Sequence, residues 1–168
     1  MSLHGFSKLL LTPLILGFTA GGLLLALTRG VALAFFAGFP GIFAHELAHW
    51  TTALLLRSEP GVLRLFPTRT APGRWSLGSV TFTPRWWSAG FVALAPLYWL
   101  PLLSTLLAWR ALSQPREVQF FCGYVIATLC WGSIPSKEDW RIAIRYPAGT
   151  FVLLTAAVLW LRLLLEKG

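Results

Sequence analysis

Residues 35–56 read FFAGFPGIFAHELAHWTTALLL. The run is apolar almost throughout, and His45, Glu46 and His49 are its only ionisable residues. Such a run is long enough for a membrane helix, which takes ~17–25 residues. A charged side chain at the centre of such a helix costs ~2.5–3.5 kcal/mol on insertion scales. Three ionisable groups within little more than one turn are therefore expensive unless they are paired or bound to a metal. Their spacing is His-Glu-x-x-His. Positions four apart lie on one helix face, one turn apart, so His45 and His49 can present two imidazoles to a single ion. Glu46 follows the first ligand directly. That position aims its carboxylate at water activated by the metal, as general base and then proton shuttle.

The chain around this stretch has the composition of a membrane protein. Of its 168 residues 56% are hydrophobic and only 12% charged, with a mean hydropathy of +0.67. A water-soluble domain carries roughly 25% charged residues, so the polar surface of one is missing here. The net charge of +8 is the balance expected of a nucleic-acid binder. Here, however, the basic residues sit between and beside apolar runs, where juxtamembrane anchors belong. Nucleic acid is accordingly not an expected partner; the lipid bilayer is. Cys122 and Cys130 lie inside an apolar segment without zinc-finger spacing and read as small buried hydrophobes.

Working outward, five segments are apolar enough to be expected as membrane helices: Leu9–Thr28, Val31–Leu56, Trp87–Trp109, Val118–Ile134 and Ala148–Leu165. The first exceeds the ~7–15-residue core of a signal peptide and is expected to be retained. Gly17 and Gly21 form a GxxxG in it, a signature of close helix packing. Pro40, flanked by Gly38 and Gly41, either widens a pocket ahead of the histidines or serves ordinary helix packing. The expected architecture is an all-α membrane protein forming one domain over residues 1–168, with its core at 31–140 and no appended soluble domain.

One region departs from the helical pattern. Residues 57–85, RSEPGVLRLFPTRTAPGRWSLGSVTFTPR, contain prolines, glycines and five arginines. Val62, Leu63, Leu65 and Phe66 form one apolar run; Trp75, Leu77, Val80 and Phe82 form a second, partly alternating one, and the APGR step between them is turn-like. The expectation is a β-hairpin at the membrane surface, with Val80 and Phe82 on a strand that holds an extended substrate; the alternative is an irregular basic loop. With a cytoplasmic N-terminus, nine basic residues fall inside and five outside, so that orientation is the expected one.

Catalytic zinc usually takes three protein ligands, and the histidine motif supplies two. The remaining carboxylates are Glu59, Glu117, Glu138, Asp139 and Glu166. The stretch Ser133-Ile134-Pro135-Ser136-Lys137-Glu138-Asp139-Trp140 closes the fourth apolar segment. With a single span between them, the second and fourth segments run in the same direction. His45 lies ~14 residues into its span, or ~21 Å, and Pro135 follows ~17 residues of its own, or ~26 Å. The two motifs therefore meet at similar depth, and either Glu138 or Asp139 can complete the site.

A His-Glu-x-x-His inside a membrane helix, followed two helices later by a proline-containing segment with an aspartate, resembles the site-2 protease family of intramembrane metalloproteases. The resemblance covers roughly Val31 to Trp140. It implies zinc held by His45, His49 and Asp139, Glu46 as catalytic base, and membrane-anchored protein substrates. It also implies a surface sheet after the motif helix to which a substrate adds as a strand, and location in a bacterial inner membrane. The second motif departs from the family pattern: Ser133 stands where an asparagine is usual and Trp140 replaces a glycine. Ser133 or Ser136 is then the expected substitute hydrogen-bond donor to substrate. The competing expectations are an idle metal-binding scaffold of the same fold and a small metal transporter. The intact Glu46 argues against the scaffold. The lack of further polar residues along a through-path argues against the transporter.

Overall fold

A computed structural model of the chain describes residues 3–72 and 74–166. Among them are seven helices and one two-stranded antiparallel sheet. In chain order these are α1 (Leu3–Leu27), α2 (Val31–Leu55), β1 (Thr68–Ala71), β2 (Arg74–Ser76), α3 (Ala89–Ala93), α4 (Ala95–Ala111), α5 (Arg116–Gly132), α6 (Lys137–Arg145) and α7 (Pro147–Glu166).

α5 is the hub, packing against α1, α2 and α4. Glycines permit the approach. A side chain at Gly17 of α1 would run into the backbone carbonyl of Phe120, and one at Gly123 of α5 into that of Leu14. Glycine inside a helix costs ~1 kcal/mol relative to alanine; backbone-to-backbone packing offsets it. The GxxxG of α1 thus packs within the chain, against α5. Gly41 of α2 likewise abuts Thr128, and Gly132 abuts Gly41. Of the two expectations for the Pro40 region, the packing one describes this contact.

The helices are more broken than the apolar runs predicted. Among the described residues α2 alone is long and apolar enough to cross a membrane, or two spans qualify if α5 and α6, bent by 49°, count as one. The expectation of five spans is corrected accordingly. Proline is the reason in two cases. The third expected span divides at Leu94 into α3 and α4, because Pro96 has no N–H with which to continue the first helix. The fourth stops at Gly132, three residues before Pro135. The first and last are apolar over shorter described stretches, Thr12–Leu27 and Pro147–Leu159.

The region between α2 and α3 does form a hairpin, in which Ala71 pairs with Arg74. α2 ends in a Schellman arrangement: Arg57, at φ 53°, bonds to Leu54 O at 3.1 Å, and Ser58 N to Ala53 O at 2.8 Å. The paired strands proper lie near the tip, with Thr68 opposite Ser76 and Arg69 opposite Trp75. The expectation had put them on the apolar runs nearer the base. There the pairing is sparse: Thr83 N to Ser58 O (2.8 Å), Gly61 N to Thr81 O (2.7 Å) and a bridge between Arg64 and Ser79. The register slips by one residue from each of these contacts to the next, so no continuous ladder forms. At the base, the hydroxyls of Ser58 and Ser88 meet at 2.7 Å, both fully buried, tying the hairpin to the start of α3.

Candidate metal centre

His45 and His49 stand one turn apart on α2, with ring centroids 4.7 Å apart and planes at 79°. Each ring is fixed through Nδ1. His45 Nδ1 donates to the carbonyl of Gly132 at 2.6 Å, and His49 Nδ1 to that of Val92 at 2.7 Å. A carbonyl only accepts, so both Nδ1 atoms carry the hydrogen. Each Nε2 then presents its lone pair, and the two Nε2 atoms face each other at 3.0 Å.

Asp139 closes the triangle. Its Oδ2 lies 3.5 Å from His45 Nε2 and its Oδ1 3.3 Å from His49 Nε2. Three acceptor groups thus converge in a mostly buried place, an arrangement that calls for positive charge at its centre. Bonds of ~2.0–2.1 Å at tetrahedral angles put neighbouring ligand atoms about 3.3 Å apart. The two Nε2 atoms lie 3.0 Å apart, and each has a different oxygen of the Asp139 carboxylate near that spacing, Oδ2 at 3.5 Å from His45 and Oδ1 at 3.3 Å from His49. The three residues can hold a metal ion, and their imidazole and carboxylate donors suit a first-row divalent one.

The two carbonyls are available because proline made them so. In a continuous helix Val92 O would accept from residue 96, and that residue is Pro96, which has no N–H. Gly132 O would accept from Ser136, but α5 has ended before Pro135 and the Ser136 N–H is turned to Asp139 Oδ2 at 2.6 Å. Such hydrogen bonds to ligating histidines fix ring tautomer and orientation.

Asp139 is held as firmly. It is the third residue of α6 and half of a capping box: its backbone N–H donates to Ser136 Oγ at 3.2 Å while its carboxylate accepts from Ser136 N. Burial opposes its ionisation. Contact with His45 and His49 and the Ser136 cap outweigh burial and keep the carboxyl below the usual carboxylate range. Glu138 faces outward, exposed, in an ion pair with Arg141.

Glu46 is buried and lies against the hairpin. A side chain at Gly78 would sit 2.6 Å from Glu46 Cγ and 2.9 Å from Oε1, so only glycine leaves the carboxylate its room. It follows His45 directly on α2, next to the triangle.

The other expected site residues stand further out. Val80 and Phe82 line a separate groove against α6. The Ser133 hydroxyl donates back to Cys130 O at 2.7 Å, and Ser136 serves the cap. The sequence reading missed Gly78 and the carbonyls of Val92 and Gly132. Their signals in the sequence are a glycine that reads as a turn and two prolines that read as helix ends. Compared with known protein families, curated proteins and solved structures, the chain matches none.

Proposed function

We propose that the chain is an intramembrane zinc endopeptidase that hydrolyses peptide bonds of membrane-anchored substrates. The observation that carries this reading is the convergence of both Nε2 lone pairs and the Asp139 carboxylate, with Glu46 beside them. Zinc, when bound, supplies Lewis acidity to the scissile carbonyl and lowers the pKa of water towards ~7. Glu46 is the general base: it takes a proton from the attacking water and delivers it to the leaving amine. Ser136 and the carbonyls of Val92 and Gly132 act by positioning, since they hold the ligands in one geometry. The hairpin offers backbone to a substrate unwound into extended form, with Val80 and Phe82 on its returning arm beyond β2, where pairing within the hairpin is sparse.

The membrane setting is supported by side chains that water would not tolerate so widely. Phe36, Phe121 and Phe151 are 72%, 62% and 66% exposed on α2, α5 and α7. Exposed apolar patches of that spread mark a partner surface, and a bilayer covers all three helices at once. The proposed orientation puts the N-terminus, the hairpin and α6 on the cytoplasmic side of the cell membrane.

The test uses purified protein and a helical membrane peptide, with Glu46→Gln alongside. Cleavage by the natural chain is expected to stop with a zinc chelator and return with zinc. The Glu46→Gln variant is expected to retain stoichiometric zinc and lose cleavage by at least ~100-fold, the lower range for a general base. Normal cleavage by that variant would sink the assignment. Loss of its zinc would make Glu46 a ligand instead.

A further inference from the structure

α6 has more than one face in use. Asp139 and Ala143 are buried, and Ile142 is half-buried. Lys137, Arg141 and Arg145, four residues apart, form an exposed basic stripe. Beside that stripe Trp140 is 45% exposed and Ile144 75%. Large apolar side chains next to a basic stripe are the pattern of a helix lying in the plane of a membrane interface. Between α6 and the returning hairpin strand lies a groove of about 280 Å³. Arg141 and Arg145 line it from α6, Tyr146 from the cap that follows, and Val80 and Phe82 from the hairpin. Glu138 also lines it, and its carboxylate is taken up by Arg141. Among the described residues Arg145 has no carboxylate partner, so the groove keeps one surplus positive charge.

We propose that this groove binds the phosphate of an anionic membrane lipid such as phosphatidylglycerol. Arg141 and Arg145 face the phosphate, and Trp140 and Ile144 reach into the adjoining acyl border. The inference rests on the membrane setting proposed above and is independent of peptidase activity. An acidic segment of a substrate peptide is the rival occupant. The lipid is favoured because a helix lying with Trp140 and Ile144 in the membrane interface brings its basic stripe, Arg141 and Arg145 included, to the level of the lipid phosphates. A bound lipid also holds in place the helix that carries Asp139.

The full chain in detergent is incubated with phosphatidylglycerol or phosphatidylcholine, and retained lipid is counted by native mass spectrometry. Inorganic phosphate and an acidic peptide serve as separate competitors. Phosphatidylglycerol is expected to be retained in preference. The preference is expected to fall about fivefold for each arginine removed in R141Q and R145Q, following the contribution of one basic residue near an anionic surface. Arg141→Lys with Arg145→Lys should keep it. Glu138→Gln should raise it, which leaves a measurable gain even where the arginine variants fold poorly. Equal retention of the two lipids would overturn the proposal, as would an undiminished preference in well-folded R141Q/R145Q. Displacement by inorganic phosphate alone would make this a soluble-phosphate site, and displacement by the acidic peptide a substrate subsite. Zinc-dependent cleavage measured on the same preparations separates a failure here from a failure of the peptidase reading. A natural chain that stays in solution without detergent would instead remove the membrane setting.

Discussion

Asp139 and Glu138 are adjacent in sequence and opposite in setting. One is turned inward to both histidines and locked by the Ser136 cap; the other is exposed and paired with Arg141. A ligand contributes more than the outer-shell groups whose loss typically costs ~10–100-fold in metal affinity. Asp139→Ala is therefore expected to weaken zinc binding by more than that range, measured as zinc retained against a competing chelator. Glu138→Ala is expected to keep zinc stoichiometric, because its carboxylate contacts neither histidine. The reverse pair of results would move the ligand by one residue. Loss in neither variant would put the third ligand elsewhere in the chain. The four residues His45, Glu46, His49 and Asp139 were legible in the sequence because their signals are local. The first three are a helical spacing; for the fourth, the proline at matching depth left Glu138 and Asp139 both open, and the family resemblance chose Asp139.

At the scale of elements, the breaks carry as much of the site as the helices do. α3 and α4 would be one helix without Pro96, and the Val92 carbonyl would then be spent inside it. Pro96→Ala restores an N–H four residues after Val92, in competition with His49 Nδ1. The expected result is a longer helix and zinc binding weaker by ~10–100-fold, the range for loss of a histidine's outer partner. Circular dichroism and zinc retention check the two halves of that statement. A variant with unchanged zinc affinity would show that the Val92 bond does not orient the ring. This part of the site was illegible from sequence for a physical reason. A backbone carbonyl has no residue identity, so Val92 and Gly132 leave no mark of their own. Hydropathy likewise runs on through Leu94, so the apolar count saw one span where the backbone makes two helices. The hairpin was legible as a whole because its APGR turn is a strong local signal. Its pairing was not, because the slipping register depends on contacts between residues far apart in the chain.

At the scale of the molecule, the helices are short for the medium proposed for them. α4 and α5 have 17 residues each, about 26 Å at ~1.5 Å per residue, against a hydrocarbon core of ~30 Å. A helix bundle of that length favours a thin bilayer or draws the bilayer inward around itself, at fractions of a kcal/mol per Å. The reconstituted protein is expected to melt at a higher temperature in short-chain than in long-chain phosphatidylcholine. A melting temperature independent of chain length would count against the helices setting the depth. Their ends also bear on how the fold is held closed. His45 and Asp139 are about 90 residues apart in the chain, yet their donor atoms lie 3.5 Å from each other. An ion held between them is a covalent-like staple across most of the molecule. In the chain-entropy model a cross-link closing a ~100-residue loop contributes about 4.7 kcal/mol. For a metal the figure is an upper bound, since an unfolded chain confined to two dimensions has less freedom to lose. The ion proposed for chemistry is thus also a latch. Chelation would release the loop between His45 and Asp139, turning metal supply into a control on how long each molecule survives proteolysis.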